Sequence, residues 1–189
     1  MFKPFSPTRA KRTLERYESW IQTVSTRYGV PEAVVKAILY QEMVQIDLVD
    51  YAADLAVGSG FFKKKDSSTG YAQIYGYVGL NAANFAVDHG LATYESLGIE
   101  SDHRLDTNNL ADVRLVWKKL HKNKEANIEL ATLNLLAAAY EVVGHGDFDR
   151  MSDEELKLVM TRYNADARHV TEYGERAFAT YEAFLNGEM

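Results

Sequence analysis

The residue best placed to do chemistry in this sequence is Glu42, within the stretch AILYQEMVQI, residues 37–46. Wound as a helix at ~100° per residue, residues 35–49 gather Val35, Ile38, Leu39, Ile46 and Val49 on one side. Glu42 falls in the middle of that stripe. An ionised, unpaired carboxylate there is costly. Desolvation is expected to raise its pKa. A carboxyl still protonated near neutral pH can serve as a general acid. The same pattern also fits a Glu at the stripe's edge, or one ion-paired to a basic residue in the core.

Two further segments carry side chains suited to a polar ligand. In STGYAQIYGYVGLNAANFA, residues 68–86, Gly70 and Gln73 flank two small or apolar positions before Ile74 returns to the core. A Gly-rich turn of this kind lets backbone and amide groups approach a ligand closely. In TRYNADARHV, residues 161–170, Tyr163 and Asn164 stand between two helical patterns, where an Asn also serves as a helix terminator.

The elements that must position these residues are mostly helices. Leu14, Tyr17, Ile21, Val24 and Tyr28 recur at three- and four-residue steps and predict a helix over 8–28, ended by Gly29. Pro31 suits the first turn of the next helix, over about 31–56. Residues 58–70 read as a loop, with Lys63–Lys65 solvated. Helical patterning covers 77–89, is irregular over 91–107, resumes near Asn108 and breaks at 121–127. The nearly all-apolar run NIELATLNLLAAAYEVV then predicts a buried central helix. GHGDFD, residues 144–149, is a turn, Ser152 with Glu155 forms a capping box, and a last helix spans about 168–185. On that helix Val170, Tyr173, Ala177, Tyr181 and Phe184 share a face. No segment alternates with period two, so the fold class is mainly α.

Composition narrows the function classes. The chain has 189 residues and a net charge of -6, from 21 Lys plus Arg against 27 Asp plus Glu. An anionic domain is a poor nucleic-acid ligand, since phosphate affinity rests on cations. The absence of Cys excludes disulfides and thiolate metal sites. No apolar run reaches the length of a membrane span. The 12 Tyr and 2 Trp offer rings that can stack on sugars, although packing is the commoner role of any one.

Taken together and in order, YQEM with Glu42, GYAQI over 70–74, the run from Asn127, and RYNAD over 162–166 resemble the lysozyme-like superfamily. They are most similar to soluble lytic transglycosylases and goose-type lysozymes, whose motifs are a catalytic Glu, a G-L-M-Q-type turn, an Asn-initiated apolar helix and A-Y-N-A-G. HVTEYGERAFATY is similar to the terminal helix of that group. The resemblance covers about 28–184 and departs at Met43, Tyr71-Ala72 and Asp166. It implies a lysozyme-like helical domain with a glycan groove over 28–189, preceded by a helical extension over 1–27, the whole forming one compact unit.

The implied activity is cleavage of the β-1,4 bond between N-acetylmuramic acid and N-acetylglucosamine in peptidoglycan, without metal or cofactor. Glu42 would protonate the glycosidic oxygen. Tyr163 would hydrogen-bond near Glu42 and hold it, and Ser68, Tyr71, Gln73, Tyr163 and Asn164 would bind substrate. A hydrolase needs a second carboxylate. Asp54 and Asp66 are favoured by position over Asp47 and Asp50, the latter ~12 Å from Glu42 along the helix axis. A lytic transglycosylase needs none. The departures from the motifs also fit a non-catalytic glycan-binding domain. With no export signal visible, a toxin or effector domain secreted by another route is the preferred setting, ahead of a phage enzyme or an excised wall-enzyme domain. A toxin would require an immunity protein as partner.

Overall fold

The long apolar run folds into the helix that organises the rest. In the computed structural model, which describes residues 6–45, 67–165 and 168–189, Lys124–Val142 forms one helix with Ile128, Leu130, Leu133, Leu135 and Leu136 at most 3% exposed. Burying each such side chain contributes roughly 1.5–3 kcal/mol, which makes this helix the spine of the core. In chain order the helices are α1 (Pro7–Arg16), α2 (Glu18–Tyr28), α3 (Glu32–Gln45), α4 (Gly76–Asp88), α5 (Leu110–Lys122), the central α6 (Lys124–Val142), α7 (Asp153–Asn164) and α8 (Glu172–Leu185). Between α3 and α4 the strands β1 (Ser68–Thr69) and β2 (Ile74–Tyr75) pair antiparallel, Ser68 opposite Tyr75 and Thr69 opposite Ile74. The described residues thus form a mainly α-helical domain of eight helices with a two-strand hairpin. None of these helices is long and apolar enough to cross a membrane.

Helix α6 touches α2, α3, α4, α5 and α7, while α8 packs across α3 and α7. The residues assigned to an N-terminal extension share this core: Ala10, Leu14, Ile21 and Val24 are buried in it. Trp20 donates its indole N–H to the carbonyl of Glu125 at 2.9 Å.

Four boundaries differ from the sequence expectation. The helix expected over 8–28 divides at Tyr17, whose N–H is shared between the carbonyls of Thr13 and Leu14. The reason is tertiary, since α1 packs on α3 and α2 on α6. The break at 121–127 shrinks to Asn123, whose side chain caps the N–H of Ala126. Pro31 precedes α3 rather than lying in its first turn, and its carbonyl accepts from Val34 and Val35. The last helix begins at Glu172 rather than near 168. The part of the second helix expected beyond Gln45, and most of the 58–70 loop, lie outside the described residues. Gly29 ends α2 with φ +68°, and Ser152 and Glu155 make the reciprocal capping bonds.

Candidate active site

Glu42 is 8% exposed on α3, and its position is set by α8. The Tyr173 hydroxyl donates to Glu42 Oε1 at 2.5 Å. One residue earlier, the Gln41 amide donates to Thr180 Oγ1 at 2.6 Å, so two successive α3 side chains are tied to α8. The first turn of α8 can reach this place because residue 174 is glycine. A Cβ there would lie 2.1 Å from Thr161 Oγ1 and 2.6 Å from the Lys157 carbonyl of α7. The Thr171 N–H donates to the same Thr161 hydroxyl at 3.1 Å.

The turn between the two strands forms the facing wall. Asn127 is fully buried in the first turn of α6. It accepts from the Ala72 N–H at 2.9 Å and donates to the Thr69 carbonyl at 3.0 Å. Gly70 has φ +76°, and a Cβ on it would fall 2.3 Å from the Asn127 amide nitrogen. Glycine is therefore required both by conformation and by contact. From the other side, the Tyr163 hydroxyl of α7 donates to the Ala72 carbonyl at 2.8 Å. The Ala72 residue is thus held at both ends by different helices. Next to it Gln73 adopts φ +43°, a left-handed conformation costing about 1–2 kcal/mol for a residue with a Cβ. Its amide donates to the Gly70 carbonyl at 2.8 Å and accepts from Ser68 Oγ at 3.2 Å.

Between these walls runs a groove of about 540 Å³, lined by Glu42, Gln73, Tyr163 and Asn164 among others. Three of the other lining residues are polar and were not singled out in the sequence: Asn81 of α4, Asn134 of α6 and Glu141 of α6. Glu141 is held by Arg162, also a lining residue, in a two-point ion pair with both N···O distances 3.0 Å. Tyr75 and Tyr77 stand at the rim, 41% and 46% exposed, with ring centroids 5.7 Å apart. No pattern of charge or spacing marked Asn81, Asn134 and Glu141, which are brought together by the packing of α4 on α6.

The expected site residues are placed as follows. Glu42, Gln73, Tyr163 and Asn164 meet at the groove. Ser68 reaches it only through Gln73. Tyr71 does not line it. Its ring lies 5.6 Å from Tyr17, with the Lys124 ammonium 5.3 Å above it. Tyr163, expected to hydrogen-bond near Glu42, donates to the Ala72 carbonyl, while the bond to Glu42 itself comes from Tyr173, which sequence periodicity placed on a core face without a chemical role. Tyr163 remains near Glu42 electrostatically. Burial, and then the Glu42 charge, hold both the Tyr163 and the Tyr173 phenols well above their ordinary range. Both are therefore neutral donors at physiological pH. Asp47, Asp50, Asp54, Asp66 and Asp166 lie outside the described residues.

Comparison with known proteins leaves this geometry to stand alone. No family model, curated protein or solved structure matches the chain. What the arrangement offers chemically is one buried carboxyl, oriented by a phenol and opening on a groove with amide, guanidinium and aromatic walls. This suits proton transfer to a polar, ring-bearing substrate.

Proposed function

We propose that the chain is a peptidoglycan-cleaving muramidase with a lysozyme-like helical fold, in which Glu42 is the general acid. One observation carries this reading. Three segments far apart in sequence, which resemble the family motifs in order and spacing, contribute Glu42, Gln73, Tyr163 and Asn164 to a single groove. A carboxyl that were merely a structural ion-pair partner would need no such groove beside it.

In this mechanism a glycan strand lies along the groove with a β-1,4 bond over Glu42. The protonated carboxyl gives its proton to the glycosidic oxygen as the bond to the anomeric carbon breaks. Tyr173 fixes the carboxyl through Oε1. When Glu42 becomes anionic, the phenol donates to a charged acceptor, and such bonds are roughly twice as strong as neutral ones. The pinned Ala72 turn keeps the opposite wall rigid, and the groove amides supply partners for N-acetyl and hydroxyl groups. General acid catalysis of this kind contributes about 10²–10⁴-fold in rate.

The fate of the sugar depends on the nucleophile. Water supported by a second carboxylate, for which Asp54 and Asp66 are the candidates, gives a reducing end. Attack by the muramic acid 6-hydroxyl gives a 1,6-anhydro end, with Glu42 acting first as acid and then as base. The setting we favour is a secreted antibacterial toxin domain, countered by an immunity protein.

Mass analysis of purified peptidoglycan after incubation with the protein tests this. Soluble muropeptides cut at the β-1,4 bond are expected, and their ends identify the reaction. Saccharide binding with no released product would mean a non-catalytic glycan-binding domain instead.

A further inference from the structure

We infer that the rings of Phe85, His89 and Tyr140 form a second saccharide-stacking site, which prolongs the Glu42 groove along the seam of α4 and α6. The inference rests on the muramidase reading for the identity of the strand. Its geometry is separate from the residues around Glu42.

The site follows from helical spacing. On α4 the groove is lined by Tyr77, Val78, Asn81 and Ala82. At ~100° per residue Phe85 falls in the middle of that face and His89 at its edge. They lie about 6 and 12 Å beyond Asn81 along the axis. On α6, Tyr140 is one turn beyond the groove residue Ala137, on the flank of the groove face, and meets the α4 side through Phe85. The three rings converge, with centroids 4.1 Å apart for Phe85 and His89, 5.5 Å for Phe85 and Tyr140, and 5.3 Å for His89 and Tyr140.

Two of these rings are exposed and the third, Phe85, is half-buried against the core, and all are held in place. Tyr140 is 43% exposed, and His89 is exposed as well. The Nδ1 of His89 lies 2.9 Å from the Phe85 carbonyl. Gly146 brings its backbone against the edge of Tyr140, where a Cβ would come within 2.7 Å of Cε2 and within 2.5 Å of a Leu136 methyl. A rigid surface ring loses little conformational freedom on binding. The chemistry matches a pyranose. Aromatic faces carry negative potential, suited to the C–H face of a sugar, and the imidazole edge and phenol hydroxyl provide hydrogen bonds at the rim. Tyr75 and Tyr77 line the Glu42 groove, and the three rings lie beyond its lining, one to two turns past Asn81, so a strand that touches both sets must be several sugars long rather than a disaccharide.

The test titrates the full-length protein with the β-1,4-linked N-acetylglucosamine hexamer and dimer, following the His89 and Tyr140 ring signals by NMR. Release of muropeptides from peptidoglycan is measured in parallel. The hexamer is expected to move both ring signals at concentrations where the dimer does not. Tyr140→Ala should weaken hexamer binding and slow release from long strands by about fivefold. Tyr140→Phe, which keeps the ring, should restore both, and His89→Ala should repeat the loss with the Tyr140 contacts to Gly146 in place. Hexamer-induced shifts in a wild type that releases no muropeptide would sustain the stacking site while ending the muramidase reading. Normal release with unmoved ring signals, and Tyr140→Ala equal to wild type, would overturn the stacking site and leave the muramidase reading standing. Shifts caused by an aliphatic peptide or by lipid vesicles, but not by the hexamer, would overturn it too.

Discussion

Glu42 and Glu129 are both buried carboxylates in apolar helices, 8% and 5% exposed, and each accepts a short hydrogen bond from a tyrosine. Their surroundings differ. Glu129 on α6 takes the Arg27 guanidinium at 2.6 Å and the Tyr28 hydroxyl at 2.7 Å, fastening α2 to the central helix. Glu42 takes a phenol from α8 and borders the 540 Å³ groove. The first is a clasp between core helices. The second lines the wall of a groove. Burial of an acid therefore does not identify a catalytic group. The groove beside Glu42 is the further observation that our proposal uses.

The strongest way to break the comparison is to remove the packing that presents Tyr173. Gly174→Ala places a methyl group into Thr161 and the Lys157 carbonyl, and should destabilise the fold by about 3 kcal/mol and abolish activity with it. Denaturant unfolding measures this, and a near-neutral result would show that α8 can shift away from α7. Next in size, Glu129→Gln should lose about 2 kcal/mol, set mainly by its two hydrogen bonds. Arg27 is 44% exposed, so screening takes much of the Coulombic part. Muropeptide release by that variant should match wild type. A large drop in release with an unchanged melting curve would erase the distinction between the two acids.

Tyr173→Phe removes the bond to Glu42 while keeping the ring in the core. About 1 kcal/mol of stability and roughly tenfold in rate are expected. A wild-type rate would mean that Tyr173 is packing alone.

The smallest effect is read by pH. Burial, reinforced by the bond to Glu129, pushes Tyr28 up to about 12 from an ordinary 10.0. The folded state therefore holds its proton where the unfolded state has lost it. The stability this gives is complete below pH ~10 and falls as pH rises to about 12. Burial, and then the Glu42 charge, also hold Tyr173 well above its ordinary range. Near-ultraviolet phenolate absorbance follows the Tyr28 titration, and Tyr28→Phe should reduce the alkaline loss of stability.

Much of the helical frame was legible because three- and four-residue apolar spacing and local caps act within a single element. The Ser152–Glu155 box, Gly29 and the buried α6 are of this kind. The stripe argument located Glu42, but it applies equally to Glu129 in NIELATLNLL, and the Arg27 clasp on Glu129 and the groove beside Glu42 are both products of tertiary packing. Tyr173 was seen as a core residue because its hydroxyl partner lies 131 positions away. Asn127 looked like the start of a helix, whereas Asn123 caps it and Asn127 reaches out to hold the Ala72 turn. In each case periodicity fixes a face of a helix, while the partner on that face depends on the tertiary crossing.

The most direct measurement is the rate of muropeptide release from purified peptidoglycan by Glu42→Gln, with its thermal unfolding recorded beside wild type. A loss of about 10²–10⁴-fold with a near-native melting curve is the expected result. Release at the wild-type rate by the folded variant would contradict the assignment of Glu42 as the proton donor.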